Sequence, residues 1–193
     1  MLELPGFPPL EGNAIPAWDG QTLRLSAPAL TDLFSDPSSG ALHANAPYLT
    51  FLAQGDFLLS ARVWVDFRST FDAGVLLIYQ SPSSWAKLCF EYSPQNQPMV
   101  VSVVTKGVSD DCNSVVLSAP EIYLRIARMG RAFAFHYSPD GQFWHLVRHF
   151  ALEPNLPTRA GFLVQAPRGE GCRASFSQLE LAWTTLEDIR SGV

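Results

Sequence analysis

"SSWAKLCFEYS", residues 83–93, places Ala86, Leu88, Phe90 and Tyr92 on one side of an extended chain and Trp85, Lys87, Cys89 and Glu91 on the other. That two-residue period predicts a β-strand with one apolar face and one mixed face. The mixed face holds an aromatic ring, a cation and a carboxylate in one row. "DFLLSARVWVDF", residues 56–67, repeats the pattern, with Phe57, Leu59, Ala61, Val63, Val65 and Phe67 opposite Leu58, Ser60, Arg62, Trp64 and Asp66. One-sided strands of this kind belong to an antiparallel sandwich.

The same period recurs along the chain between clusters of Gly, Pro, Asn, Asp and Ser. It predicts strands over 21–26, 48–52, 56–67, 73–79, 85–92, 99–105, 114–117, 123–129, 132–137, 143–150, 159–165 and 174–183. "HYSPDGQFWH", residues 136–145, reads as a hairpin because Pro139 presets φ and Asp140-Gly141 supplies the turn. Only the tail after Trp183 has helical signals, with Thr184 or Thr185 able to cap "LEDIR". The expected organisation is one all-β sandwich over residues 1–183 followed by a short, helical tail over 184–193. The Pro- and Ser-rich stretch Ser26–Leu49 is the longest loop-like segment, expected to cover an end of the sandwich.

Composition narrows the function. A chain of 193 residues with 47% hydrophobic residues can bury a full core as a single domain. A net charge of −5 without a Lys/Arg run speaks against a nucleic-acid groove and against an anionic membrane surface. The N-terminal "MLELPGFPPLEGN" lacks the basic region and apolar run of a signal peptide, and no stretch nears the ~18 apolar residues of a membrane span, so a cytoplasmic location is expected. Cys89, Cys112 and Cys172 have no CxxC spacing and are expected as free, buried or half-buried thiols, not as a disulfide or zinc site. His145 and His149 share a strand face about 13 Å apart, too far for one ion. His145 is placed to meet His136 across the hairpin, and His43 has no evident partner. Asp110, Asp111 and Asn113 suggest either a turn or, less well, a calcium loop. No metal site and no cofactor is expected.

The order of "TDLF", "QGDFLLSARVWVDF", "FDAGVLLIY", "SSWAKLCFEYS", "VVSVVTKGVSDD", "YLRIARMGRAFAFHYSPDGQFWHLVRHF" and "APRGEGCRASFSQLEL" resembles the DUF1349 family over Trp18 to Trp183. That family is similar to concanavalin A-like lectin/glucanase jelly rolls and includes relatives of the yeast regulation-of-enolase protein. The resemblance places its W-x-K-x-x-x-E strand on Trp85, Lys87 and Glu91, and its S-V-V-T-x-G-x-S-D segment on Ser102, Val103, Val104, Thr105, Gly107, Ser109 and Asp110. Two departures stand out. The family's D-Q-A-G is reduced to Asp72-Ala73-Gly74, and Asp111 stands where the family has Trp.

The resemblance implies a groove in which aromatic faces stack on sugar C–H surfaces while charged and amide groups bond the hydroxyls. The expected ligand-binding set is Trp85, Lys87 and Glu91 with Arg62, Trp64, Ser102, Thr105 and Arg125; no catalytic residue is assigned. A glycosidase requires two carboxyl groups about 5–9 Å apart, and the E-x-D pattern that delivers them from one strand is absent from the sequence. No G-x-S-x-G elbow or P-loop is present. The expected function is therefore a non-catalytic module for a carbohydrate or sugar-like small molecule. A protein-interaction domain regulating a metabolic enzyme is the alternative, and a glycoside hydrolase the third reading.

Overall fold

The computed structural model describes residues 1–193. Sixteen strands follow one another: β1 (Glu11–Gly12), β2 (Ala17–Trp18), β3 (Thr22–Pro28), β4 (Leu33–Ser35), β5 (Leu42–Ala44), β6 (Tyr48–Leu52), β7 (Phe57–Val65), β8 (Ala73–Ser81), β9 (Ser84–Tyr92), β10 (Pro98–Lys106), β11 (Val108–Val116), β12 (Glu121–Met129), β13 (Ala132–Ser138), β14 (His145–Ala151), β15 (Arg159–Gln165) and β16 (Gly171–Ala182). Two seven-stranded sheets result. The first runs β1-β6-β15-β8-β9-β10-β11, the second β14-β13-β12-β7-β16-β3-β2, and β4-β5 forms a separate hairpin. All pairings within them are antiparallel, giving a jelly-roll sandwich.

The alternation seen in the sequence sets the layers. Ala86, Leu88 and Phe90 of β9 and Phe57, Leu59, Ala61, Val63 and Val65 of β7 meet between the sheets with Phe135, Phe162 and Phe176. Each fully buried Val, Leu or Phe side chain among them contributes about 1.5–3 kcal/mol by leaving water. A second apolar cluster lies on the outer face of the first sheet, where Trp85, Val75, Leu77, Cys89, Val101, Val103 and Leu163 are buried with Leu33 and Ala46. A sheet face this apolar needs a cover. The segment 31–46 provides it, so the Ser26–Leu49 stretch folds as a hairpin over a sheet face and not, as expected, over an end of the sandwich.

Strand β11 is longer than the expected 114–117. Its sequence "VSDDCNSVV" is polar on both sides because β11 is an edge strand, and the alternation that marks a half-buried strand fades there. Asp110 and Asp111 thus lie in a strand, on opposite faces, and not in a turn or calcium loop; the turn falls at Gly107, whose φ is 80°. The hairpin at 138–145 forms as read, with the Asp140 carboxylate accepting the N–H groups of Gln142 and Phe143.

The helix expected in 184–193 does not form. Leu186 and Ile189 instead pack on Ala127, Ala134 and Leu146 of the second sheet's outer face, and the tail runs across it as a strap. Cys89 and Cys172 are buried, whereas Cys112 is exposed. His145 stacks on Tyr137 at 4.8 Å and does not meet His136, because the β13-β14 register sets His136 opposite Leu146. No helix is long and apolar enough to cross a membrane.

Gly74 of β8 sits against β7 and β16 of the opposite sheet. A Cβ there would lie 2.8 Å from Val63 Cγ1 and 3.0 Å from Ala174 Cβ. Gly74→Ala is expected to lower unfolding free energy by about 1–3 kcal/mol, read from urea melts, through overpacking. An unchanged midpoint would show that the sheets are not in contact at this point.

Candidate functional site

Lys87 is the least ordinary residue of the fold, an ammonium 2% exposed on a sheet face. Removing such a charge from water costs several kcal/mol unless it is paired. Here Lys87 Nζ donates to Gln165 Oε1 at 2.9 Å and lies 3.6 Å from Asp32 Oδ1. It also stands 5.7 Å from the Trp85 ring centroid and 6.0 Å from that of Phe34. Three elements converge on one cation: β9, β15 and the β4-β5 hairpin.

The hairpin is held in place by hydroxyls. Ser35 N–H donates to Ser109 Oγ at 2.9 Å and Ser35 Oγ–H to the Gly107 carbonyl at 2.9 Å, while Ser109 bonds Thr105 at 2.9 Å. Across its base Asp32 N–H donates to Asn45 Oδ1 and Asn45 Nδ2 to the Leu30 carbonyl. On the opposite side the Asp72 carboxylate accepts the N–H groups of Arg68 and Ser69, both at 2.9 Å. That turn carries Phe71 at φ 70°, a left-handed conformation strained for an aromatic residue, and Gln165 Nε2 holds its carbonyl at 3.1 Å.

Between hairpin and turn lies a cleft of about 560 Å³, lined by Phe34, Phe71, Leu30 and Pro167 and by Asp32, Asp36, His43, Lys87, Glu91, Asp111, Gln165 and Arg168. Glu91 stands on its floor, two residues along the same face of β9 from the buried Cys89. No protein group donates a hydrogen bond to its carboxyl group. Burial pushes its pKa up to about 8, against the pull of Lys87 and helped by Asp111 and Asp32. Asp111 reaches the cleft from β11, one strand beyond Val103, which pairs with Lys87. Burial raises its pKa as well, with Lys87 opposing. The cleft thus offers aromatic faces, a cation and a carboxyl group that is protonated at neutral pH.

Of the residues expected to bind a ligand, only Lys87 and Glu91 line this cleft. Trp85 is fully buried beneath the hairpin and supports the cation from behind. Thr105 is also fully buried and serves to dock Ser109. Ser102 faces the inter-sheet core, three residues from Thr105 and hence on the opposite face of β10. Arg62, Trp64 and Arg125 belong to the second sheet. Arg62 pairs with Glu121 beside a separate cleft lined by Trp18 and Gln178, Trp64 is 37% exposed, and Arg125 is covered by the strap. Sheet order, which a sequence does not carry, separates them from the first row. The residues that sequence reasoning missed, Asp32, Phe34, Asp36, His43, Phe71, Gln165 and Arg168, come mostly from loops. Asp111 had a signal, as the polar residue in place of the family's Trp.

The sequence matches the model of a protein of unknown function, DUF1349, over residues 13–183. The chain belongs to the DUF1349 family. Among curated proteins none matches it. It is similar in structure to a functionally unknown protein from Saccharomyces cerevisiae, with TM-score 0.80, 21% identity, and coverage of 89% of this chain and 95% of that one. The GH43 BlXynB protein from Bacillus licheniformis gives TM-score 0.69 and 15% identity over 84% of this chain but 33% of its own. An alginate lyase from Klebsiella pneumoniae gives TM-score 0.57 and 14% identity over 86% and 82%. These likenesses establish the fold. The DUF1349 chain spans about a third of the GH43 protein's length. Asp72 is the acceptor that shapes the Phe71 turn.

Glu91 makes stability depend on pH in a defined window. Its folded pKa lies near 8 and its unfolded value near 4.5, so between these the folded state binds more protons and stability falls as pH rises. His136, lowered to about 4, acts in the opposite direction only below about 6.5. Between about pH 6.5 and 8 the parent is therefore expected to lose stability relative to Glu91→Gln, by about 1–2 kcal/mol in urea melts. Parallel profiles for the two proteins would mean that Glu91 is hydrated.

Proposed function

We propose that this DUF1349 protein is a non-catalytic binding module whose outer-face cleft takes a carbohydrate or sugar-like small molecule. The carrying observation is the Glu91 carboxyl group, which faces the cleft from its floor and takes no hydrogen bond from the protein. A carboxyl group that faces a cleft without a protein partner is free to bond a ligand, and when protonated it both donates and accepts, as a hydroxyl does. Phe34 and Phe71 supply apolar faces beside it, and Lys87 supplies a fixed donor. The alginate lyase neighbour, named for a polysaccharide, supports a carbohydrate context through the fold it shares.

The test is binding of the purified protein to a panel of neutral sugars, uronates and sugar phosphates by isothermal titration calorimetry. Glu91→Ala and Phe34→Ala are expected to weaken the panel's best ligand at least ~10-fold, equivalent to about 1.4 kcal/mol. Glu91→Gln is expected to bind within a few-fold of the parent at neutral pH and to keep binding above about pH 8, where ionisation of Glu91 weakens the parent. A flat panel with a folded parent would overturn the reading and favour the protein-partner alternative.

A further inference from the structure

Arg125 presents a second unpaired group, on the opposite side of the molecule. It projects from β12 onto the outer face of the second sheet, is 7% exposed, and has no carboxylate within ion-pair distance. Its guanidinium stacks on Trp144 at 4.1 Å and donates through Nη2 to the Gly192 carbonyl at 2.6 Å, while Nε is buried without an acceptor. Directly across the strand pair lies His136, fully buried, bonded through Nε2 to the Ile189 carbonyl at 2.8 Å. Because a carbonyl only accepts, Nε2 carries the proton and Nδ1 is a bare acceptor. Nδ1 also has no partner.

Anchoring a carbonyl strap requires only a neutral donor. A buried guanidinium without a counter-charge is a costly way to do it, and its planar fork fits oxyanions. Residues 186–192 therefore occupy, with two carbonyl oxygens, a pocket whose side chains suit a stronger acceptor. An oxyanion in place of the strap presents oxygens to both arms of the Arg125 fork, Nη2 and the orphaned Nε, and accepts from His136 Nε2–H.

We infer that Arg125, His136 and Trp144 form a site for a small oxyanion, a phosphate group or a hydroxycarboxylate, which the C-terminal strap fills in its absence. The site is independent of the cleft on the first sheet. Binding displaces the strap's carbonyls and trades them for a charged acceptor, so strap and anion compete.

Gly192 provides the lever. Its φ is 77°, and a Cβ there would lie 2.6 Å from Arg125 Nη2 and 2.8 Å from Trp144 Cβ, so Gly192→Val loosens the strap in the full chain while leaving the sheet intact. Inorganic phosphate and, separately, lactate are titrated against chloride at equal ionic strength, following the Arg125 Nε–H resonance by NMR and the thermal midpoint. The expected result is a saturable shift of that resonance in the parent with at least one probe, at least tenfold tighter in Gly192→Val and abolished in Arg125→Gln, with a midpoint rise that grows with ligand concentration. A saturable response to phosphate alone or lactate alone identifies which source of the oxyanion fits. If Gly192→Val does not fold, the parent titration and Arg125→Gln decide. No saturable shift of Arg125 with either probe, or a shift reproduced by chloride, would overturn the site and leave the residue as a strap anchor only.

Discussion

The buried ammonium of Lys87 is the constraint around which one side of the molecule is organised. A cation cannot stay on a dry sheet face unless acceptors are brought to it. Gln165 from β15 and Asp32 from the hairpin are those acceptors, and Trp85 and Phe34 add their rings. Each of these groups has a second attachment. Gln165 also holds the Phe71 carbonyl, and Asp32 opens the hairpin that Ser35 and Ser109 fasten to the sheet edge. Satisfying one charge thus fixes the hairpin, the strained turn and the cleft between them.

Glu91 stands in the same enclosure with the opposite outcome. Lys87 is already engaged, so the carboxyl group gains too little from it to offset desolvation and remains protonated near neutral pH. The two charged residues of this strand face, with Cys89 between them, therefore differ in role: Lys87 is fixed by the protein, while Glu91 is left for something else to bond. The Arg125 and His136 pair on the far sheet follows the same logic, with polar groups enclosed before they are satisfied. Arg125 Nε and His136 Nδ1 depart from the rule that buried polar groups are paired, beneath a displaceable segment, while the Glu91 carboxyl group opens on the cleft.

The sandwich was legible because the residues alternate in kind along strands such as β3, β7 and β16, where buried positions recur every second residue. Phe57 to Val65 and Ala86 to Phe90 face the core as their spacing requires. Tyr48–Leu52 and Arg159–Gln165 begin and end where the period does. Strand β11 was partly lost because an edge strand with Asp110, Asp111 and Asn113 has no alternation to read. The tail helix failed because tertiary packing of Leu186 and Ile189 outweighs a weak local preference. For the site, parity on β9 gave Lys87 and Glu91 a common face, and parity on β10 separates Ser102 from Thr105. What parity cannot give is which sheet a strand joins, or where a loop lies. That is why Arg62, Trp64 and Arg125 were grouped with a row they never meet, and why Asp32, Phe34 and Phe71 were absent from it. Trp85 illustrates a further limit: alternation assigns a face but does not say whether that face is covered.

The ionisation of Glu91 bears most directly on the account, since cleft enclosure, hairpin docking and ligand chemistry all meet there. A carbon-detected NMR titration of the Glu side-chain carboxyls, assigned with Glu91→Gln, measures it without reference to any ligand. The account predicts that Glu91 titrates near 8, and that loosening the hairpin with Ser35→Ala moves it toward the ordinary value of 4.5. A Glu91 that titrates near 4.5 in the parent would mean that water fills the floor of the cleft, and the enclosure described around Lys87 would not exist.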